Sequence, residues 1–240
     1  AFSVKSQENK LEKMKITPPK AEKIEKKLTA HNDVRIDNYY WLNERENPKV
    51  IDYLEKENEY YERMTSHTNG LKEKLFKEMR GRIKEDDESV PYKLNGYYYI
   101  TRYRLGQDYP VYSRKKESLD APEEIMFDVN EMAKGHSFYN LAGISVSEDN
   151  KWVAFGVDAL SRRNYDIYFK NLETGEILPY SIPMTTGGST WAADNKTLFY
   201  TKKDEKTLRS DRIYRHVLGT NPKDDQLVYT EKDEIYRTFV

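Results

Sequence analysis

The feature that most constrains this chain is a repeat in its second half. Asp149-Asn150-Lys151-Trp152-Val153-Ala154-Phe155 returns 45 residues later as Asp194-Asn195-Lys196-Thr197-Leu198-Phe199-Tyr200. Asp166-Ile167-Tyr168 returns 46 residues later as Arg212-Ile213-Tyr214. A looser copy runs from Asn95-Gly96-Tyr97-Tyr98-Tyr99 to Pro110-Val111-Tyr112. The copies open on a turn pair and continue into an apolar run of strand length. A period in the forties with several strands per unit is the pattern of β-propeller blades: one four-stranded sheet cannot cover both of its faces, so it stacks on the next.

The texture around the repeat agrees. After Pro91, strand-like runs cover Tyr97–Tyr103, Tyr109–Ser113, Trp152–Val157, Asp166–Lys170, Thr197–Thr201 and Arg212–Val217. Turn pairs such as Asn95-Gly96, Asp149-Asn150, Thr174-Gly175 and Asp194-Asn195 separate them. Short strands punctuated in this way predict an antiparallel sheet structure. The 20 tyrosines, against 8 phenylalanines and 3 tryptophans, suit half-buried pleated surfaces. From Val90 to Val240 there is room for about three blades, whereas closed propellers have about four to eight. Tyr236–Val240 reads as the opening of another strand, so the expectation is the front part of a longer polypeptide. Residue 1 is Ala, which predicts a processed or cut chain.

The first half is different. Ala1 to Lys15 is polar and Lys-rich with no hydrophobic signal core, and residues 1–16 are expected to be a flexible segment. Thr17-Pro18-Pro19-Lys20 predicts a rigid extended lead-in. Residues 17–88 are expected to form a helical extension. Asn47 is placed to cap a helix with Pro48 at its first position. Val50, Ile51, Leu54 and Tyr61 give that helix one apolar stripe, and Asn69-Gly70 is expected to end the segment. Leu71, Leu75, Phe76, Met79 and Ile83 give a second helix its own stripe. Two such helices need another surface to cover them. Glu85–Glu88 reads as a solvated linker, and residues 89–240 as the blades. The fold expectation is therefore α+β: a helical extension followed by about three antiparallel propeller blades.

Composition removes several functions. With 40 basic and 41 acidic side chains the net charge is −1, which argues against a basic nucleic-acid binder. Zero cysteines exclude disulfides, thiolate metal sites and a cysteine nucleophile. No apolar run is long enough to span a bilayer. There is no Gly-x-Ser-x-Gly elbow. The nearest string, Gly187-Gly188-Ser189-Thr190-Trp191, precedes a repeated strand and lacks a helix to open. No phosphate-cradling glycine pattern occurs. His31, His67, His136 and His216 lack metal-ligand spacing, and His31-Asn32-Asp33 reads as a turn. Asn195-Lys196-Thr197 is a formal glycosylation sequon inside a repeat turn. The pattern therefore predicts no catalytic, cofactor or metal residues. One candidate site stands out: Arg162 and Arg163 lie in a connection between two strands of one blade. Arg suits bidentate carboxylate recognition, so the pair reads either as surface charge or as an ion-pair contact with a partner domain or peptide carboxylate.

Several strings carry a family resemblance. They are Pro18–Ile24, His31–Leu42, Gly81–Pro91, Arg114-Lys115-Lys116, Ser161-Arg162-Arg163, Asn171–Gly175, Trp191–Thr201, Tyr214–Thr220 and Tyr229–Asp233. In that order they resemble the oligopeptidase B (protease II) branch of the prolyl oligopeptidase family of serine peptidases, over about Pro18 to Val240. Asn32 departs from the Gly that the family often has. The resemblance implies an α/β-hydrolase domain with a Ser-Asp-His triad, covered by a seven-bladed propeller, cleaving short peptides after Arg or Lys without a cofactor. It implies that the triad and the specificity residues lie beyond this sequence, and that the front segment packs on the hydrolase domain. On that reading the partners are the hydrolase domain and short basic peptides, with no nucleic acid and no membrane span. Arg162 and Arg163 become candidates for an interdomain or substrate-gating contact. The expected compartment is the cytoplasm, or the periplasm after removal of an export signal. Two further readings stand beside this one: a free-standing propeller-type module that binds proteins or peptides without catalysis, and a relative with proline specificity.

Overall fold

The computed structural model describes residues 17–240; the segment expected to be flexible, 1–16, lies outside the described residues. The chain divides into two units, up to Ile83 and from Lys84 onward.

The first unit is not wholly helical, which corrects the expectation for 17–88. It opens with an antiparallel hairpin of β1 (Lys26–Ala30) and β2 (Asp33–Asp37). His31 and Asn32 make the two-residue turn, with φ of 50° and 64°. Two positive φ values match the twist of a hairpin, and Asn tolerates them, which is why Asn32 serves in this turn. The strands are rich in Lys and Asp and exposed along nearly their whole length, so no alternating apolar signal marks them. A 3-10 turn at Tyr40–Asn43 then buries Trp41, whose indole donates to the Glu22 carbonyl at 3.0 Å.

Helix α1 (Pro48–Thr65) begins where the sequence places it: Asn47 accepts from the Lys49 amide at 3.0 Å. It ends earlier than Asn69-Gly70. Ser66–Thr68 forms a 3-10 turn, and Asn69 and Gly70 are the first residues of α2 (Asn69–Gly81). Asp52–Lys56 and Glu78–Arg82 pair four residues apart in the favourable order, supporting each helix slightly. Within this unit the stripes of Ile51, Leu54, Tyr61, Leu71, Leu75, Phe76 and Met79 remain exposed.

The second unit is a stack of three antiparallel blades. The first comprises β3 (Asp87–Glu88) and β4 (Tyr92–Leu94), both paired to β5 (Tyr97–Tyr103), then β6 (Val111–Lys116) and β7 (Glu123–Asp128). Asp87–Glu88 thus belongs to a sheet, which corrects its reading as linker; Glu88 also accepts from Arg102 at 2.8 Å. After a short helix α3 (Val129–Met132), the second blade runs through β8 (Asn140–Val146), β9 (Trp152–Asp158) and β10 (Tyr165–Asn171). Its outer strand is the first half of β11 (Ile182–Trp191), which pairs with β10 up to Thr185. From Thr185, and after a register shift from Ser189 on, the same strand pairs with β12 (Thr197–Lys203) and becomes the inner strand of the third blade. That blade is completed by β13 (Ser210–Val217) and β14 (Gln226–Thr230).

The cores lie in the seams between blades. Val153 and Phe155 of β9 pack with Tyr99, Phe127 and Leu141 between the first and second blades. Ala154, on the opposite face of the same strand, packs with Ile167, Phe169, Trp191, Leu198 and Tyr200 between the second and third. A strand buried on both faces reads as a continuous apolar run. Each fully buried Phe or Ile contributes about 1.5–3 kcal/mol.

Polar pins cross the same seams. Arg114 is 3% exposed; it donates to Glu124 at 2.8 Å and to the Asn150 carbonyl at 3.0 Å, and lies over the Tyr97 ring. Asn150 donates to the Asn95 carbonyl at 2.9 Å, and Asn195 accepts from the Asp149 amide at 2.9 Å. The repeated turn residue thus ties each blade to the one before it. Buried His216 faces Asp225 at 2.7 Å and the Tyr180 hydroxyl at 3.0 Å, while the Tyr200 hydroxyl donates to Asp225 at 2.9 Å. This pins the segment leading into β14 to the middle of its blade.

Where β11 passes between blades, backbones touch. A Cβ on Gly143 would stand 2.0 Å from the Gly187 carbonyl oxygen, and one on Gly156 would stand 2.6 Å from Gly187 Cα. Gly175 also has positive φ but opens on free space. We expect Gly175→Ala to cost about 1–2 kcal/mol from its left-handed backbone alone. Gly143→Ala, which adds a backbone clash, should cost at least about 3 kcal/mol and loosen the second and third blades together. Urea denaturation of both variants checks this; equal midpoints would contradict it. Asp225→Ala should likewise cost about 3–5 kcal/mol, because a buried polar cluster loses its hub.

Candidate functional site

Arg162 and Arg163 lie in the 159–164 connection between β9 and β10. In an antiparallel blade the loops joining the second and third strands share one end of the stack. The equivalent loops, 104–110 and 204–209, therefore lie at the same end.

The 159–164 loop is built around one buried carboxylate. Asp158, 3% exposed at the end of β9, accepts from the Leu160 amide at 2.9 Å and the Arg163 amide at 2.6 Å. Ser161 and Arg163 take φ of 57° and 56°, a conformation that side-chain-bearing residues hold only where their surroundings impose it. Lys203, at the end of β12 in the next blade, donates to the Arg163 carbonyl. Burial pushes the Lys203 ammonium below the usual lysine range; nearby Asp158 opposes this, and the Arg163 and Arg237 guanidinium groups add to it. Arg209 holds the following segment close by, donating to the carbonyls of Glu231, Asp233 and Tyr236 at 2.9–3.1 Å.

Both candidate arginines are exposed. Other arginines of this unit are engaged: Arg102 with Glu88 and Glu123, Arg104 with Asp128, Arg212 with Asp211. Among the described residues, no carboxylate lies within ion-pair distance of Arg162 or Arg163. The structure therefore presents two unneutralised guanidinium groups from an ordered loop. Asp158 and Lys203 are the members of this arrangement that sequence reasoning missed. An Asp just before a loop is a weak signal of side-chain capping of backbone amides; nothing in the sequence marks Lys203.

The Ser189 hydroxyl and His216 of the blades are both withdrawn from solvent. Ser189 lies in the bend of β11 with its hydroxyl buried and without a hydrogen-bond partner. His216, the one fully buried histidine among the described residues, has both ring nitrogens occupied by Asp225 and Tyr180. Among the described residues no group of three or more His, Asp or Glu side chains is placed to hold a metal ion, and no helix is long and apolar enough to cross a membrane. The Asn195 side chain of the formal sequon is occupied by the Asp149 amide.

Residues 18–240 match the family description "Prolyl oligopeptidase, N-terminal beta-propeller domain". The chain belongs to the prolyl oligopeptidase family. It is 40% identical over 238 residues to dipeptidyl aminopeptidase BI of Pseudoxanthomonas mexicana, a match covering 92% of this chain and 33% of that protein. It is 32% identical over 229 residues to Protease 2 of Moraxella lacunata, covering 92% and 33% respectively. Among solved structures, oligopeptidase B from Leishmania major superposes with a TM-score of 0.84 at 29% identity, covering 93% of this chain and 34% of that one. Oligopeptidase B from Trypanosoma brucei, in a closed form with covalently bound antipain, gives 0.81 at 25% identity, covering 92% and 33%. The chain thus spans about a third of the length of the relatives it matches. The blades are the N-terminal propeller part of a serine-peptidase family.

The geometry gives a direct expectation for the loop. Asp158→Ala leaves two loop amides without their acceptor and should cost about 1–3 kcal/mol. Limited trypsin digestion should then cut after Arg162 or Arg163 several times faster than in the unaltered chain. An unchanged cleavage rate would contradict the role assigned to Asp158.

Proposed function

We propose that this chain is the propeller-bearing part of a serine oligopeptidase that cleaves short peptides after Arg or Lys. The observation that carries the reading is the match of 18–240 to the family's propeller domain, at one third of the relatives' length. On this reading the nucleophile, its base and the pocket for the basic side chain belong to an α/β-hydrolase domain outside these residues, and the blades restrict what reaches it. A propeller suits that role because its blades are rigid sheets stacked through apolar seams, so packing sets the restriction. The exposed apolar stripes of α1 and α2 supply an adhesive face for such a domain. Arg162 and Arg163 supply the propeller side of an ion-pair contact that opens and closes as substrate enters. Closing around substrate would exclude water from the reacting bond.

The 240-residue chain alone is expected to hydrolyse neither Arg-amide nor Lys-amide substrates and to resist a serine-directed fluorophosphonate. Covalent labelling at 28.5 kDa on a denaturing gel would overturn the assignment of the chemistry to another domain. In the full-length peptidase, Arg163→Ala should raise KM several-fold at low salt and flatten its salt dependence, with kcat less affected. Unchanged kinetics across a salt series would remove the gating role.

A second reading is favoured by one observation. The 40% identity to a protein named dipeptidyl aminopeptidase exceeds the 32% to Protease 2. Under this reading the enzyme releases dipeptides from free N-termini. Product analysis separates the two: cleavage of an N-blocked peptide after an internal Arg supports the first reading, and dipeptide release that requires a free amino terminus supports the second.

A further inference from the structure

We infer that Lys203 and Asp158 are positioning residues that hold the Arg162–Arg163 loop from two different blades. Asp158 belongs to the second blade and commits both carboxylate oxygens to the loop's own amides, at Leu160 and Arg163. Lys203 belongs to the third blade and donates its ammonium to the Arg163 carbonyl. Arg163 is therefore held at its amide by one blade and at its carbonyl by the next. Lys203 pairs with Ser210 of β13, and the register shift from Lys202↔Arg212 leaves Asp211 as the extra residue on that partner strand.

The arrangement has a mechanical consequence. Ser161 and Arg163 of this short loop are kept at positive φ, and two guanidinium groups project from it without a carboxylate partner. Holding the loop in advance lowers the ordering cost of any contact the guanidinium groups make. Because the clamp crosses the seam between the second and third blades, a widening of that seam releases the loop. A change in blade packing is thereby translated into the freedom of Arg162 and Arg163. The functional part of this inference rests on the gating role proposed above; the clamp itself does not.

Three measurements test it. In the 240-residue chain, Lys203→Met should speed hydrogen exchange of the Leu160–Asn164 amides about tenfold, leaving Ile167 and Phe169 in β10 unchanged, and Lys203→Arg should restore protection. Unchanged exchange in the loop overturns the clamp. The unaltered protein gives an independent readout. With an amine-reactive ester, Lys203 should label at least about tenfold more slowly than exposed Lys206, because its ammonium is bonded and part-buried; equal labelling overturns the clamp even where the variant fails to fold. In the full-length peptidase, Lys203→Met should shift KM and its salt dependence in the same direction as Arg163→Ala, with kcat little changed, and the double variant should shift no further. An additive shift overturns action through Arg163. Loop release together with unaltered Arg163→Ala kinetics removes the gating role and leaves Lys203 as the residue that positions the loop.

Discussion

A four-stranded sheet that is apolar on both faces has no stable existence in water by itself, and everything in the second unit follows from the need to cover both faces. Strand β9 states the problem in three residues. Val153 and Phe155 leave on one side and Ala154 on the other, and all three are almost completely withdrawn from solvent. The structure answers by sharing one strand between two sheets: β11 is the outer strand of the second blade and then the inner strand of the third. That exchange forces backbones together at Gly143, Gly156 and Gly187, where no side chain fits.

Stacking apolar sheets fixes their separation but not their register, because hydrophobic burial has little directional preference. Direction comes from the polar pins. The Asn150 and Asn195 turns tie each blade to the one before it, Trp191 donates to the Ser145 carbonyl across the seam, and Lys170 reaches the Met126 carbonyl. The clamp of Lys203 on the Arg163 carbonyl is one more bond of this kind, but it ends on a loop that carries free charge. The same device that aligns blades thus also sets the position of a surface the proposed enzyme would use.

What could be read in the sequence was what periodic burial writes into it. Strands β5, β9, β10, β12 and β13 were legible because their residues are apolar runs between turn pairs. β11 was hidden because Pro183, Gly187 and Gly188 look like punctuation; they mark a strand bending from one sheet to another. The β1–β2 hairpin and β14 were hidden for the opposite reason: they bury almost nothing, so their side chains carry no alternation. The arginine pair was visible as a charge pattern, and its placement between two strands of one blade followed from the repeat. Asp158 was barely visible and Lys203 not at all, because their roles depend on a contact between blades and not on neighbours in sequence.

On the proposed reading, function is divided between parts, and this chain is the part that shapes access and carries no nucleophile. Among the described residues, the unpaired arginines lie at one end of the blade stack, on a loop fixed by Asp158 and Lys203. The most direct test is the intact mass of the native protein recovered from its source with an antibody to these blades. We predict a mass well above twice 28.5 kDa, with the blades and a fluorophosphonate-reactive serine in one polypeptide. A native mass of 28.5 kDa would contradict this division and place a free-standing binding arc first.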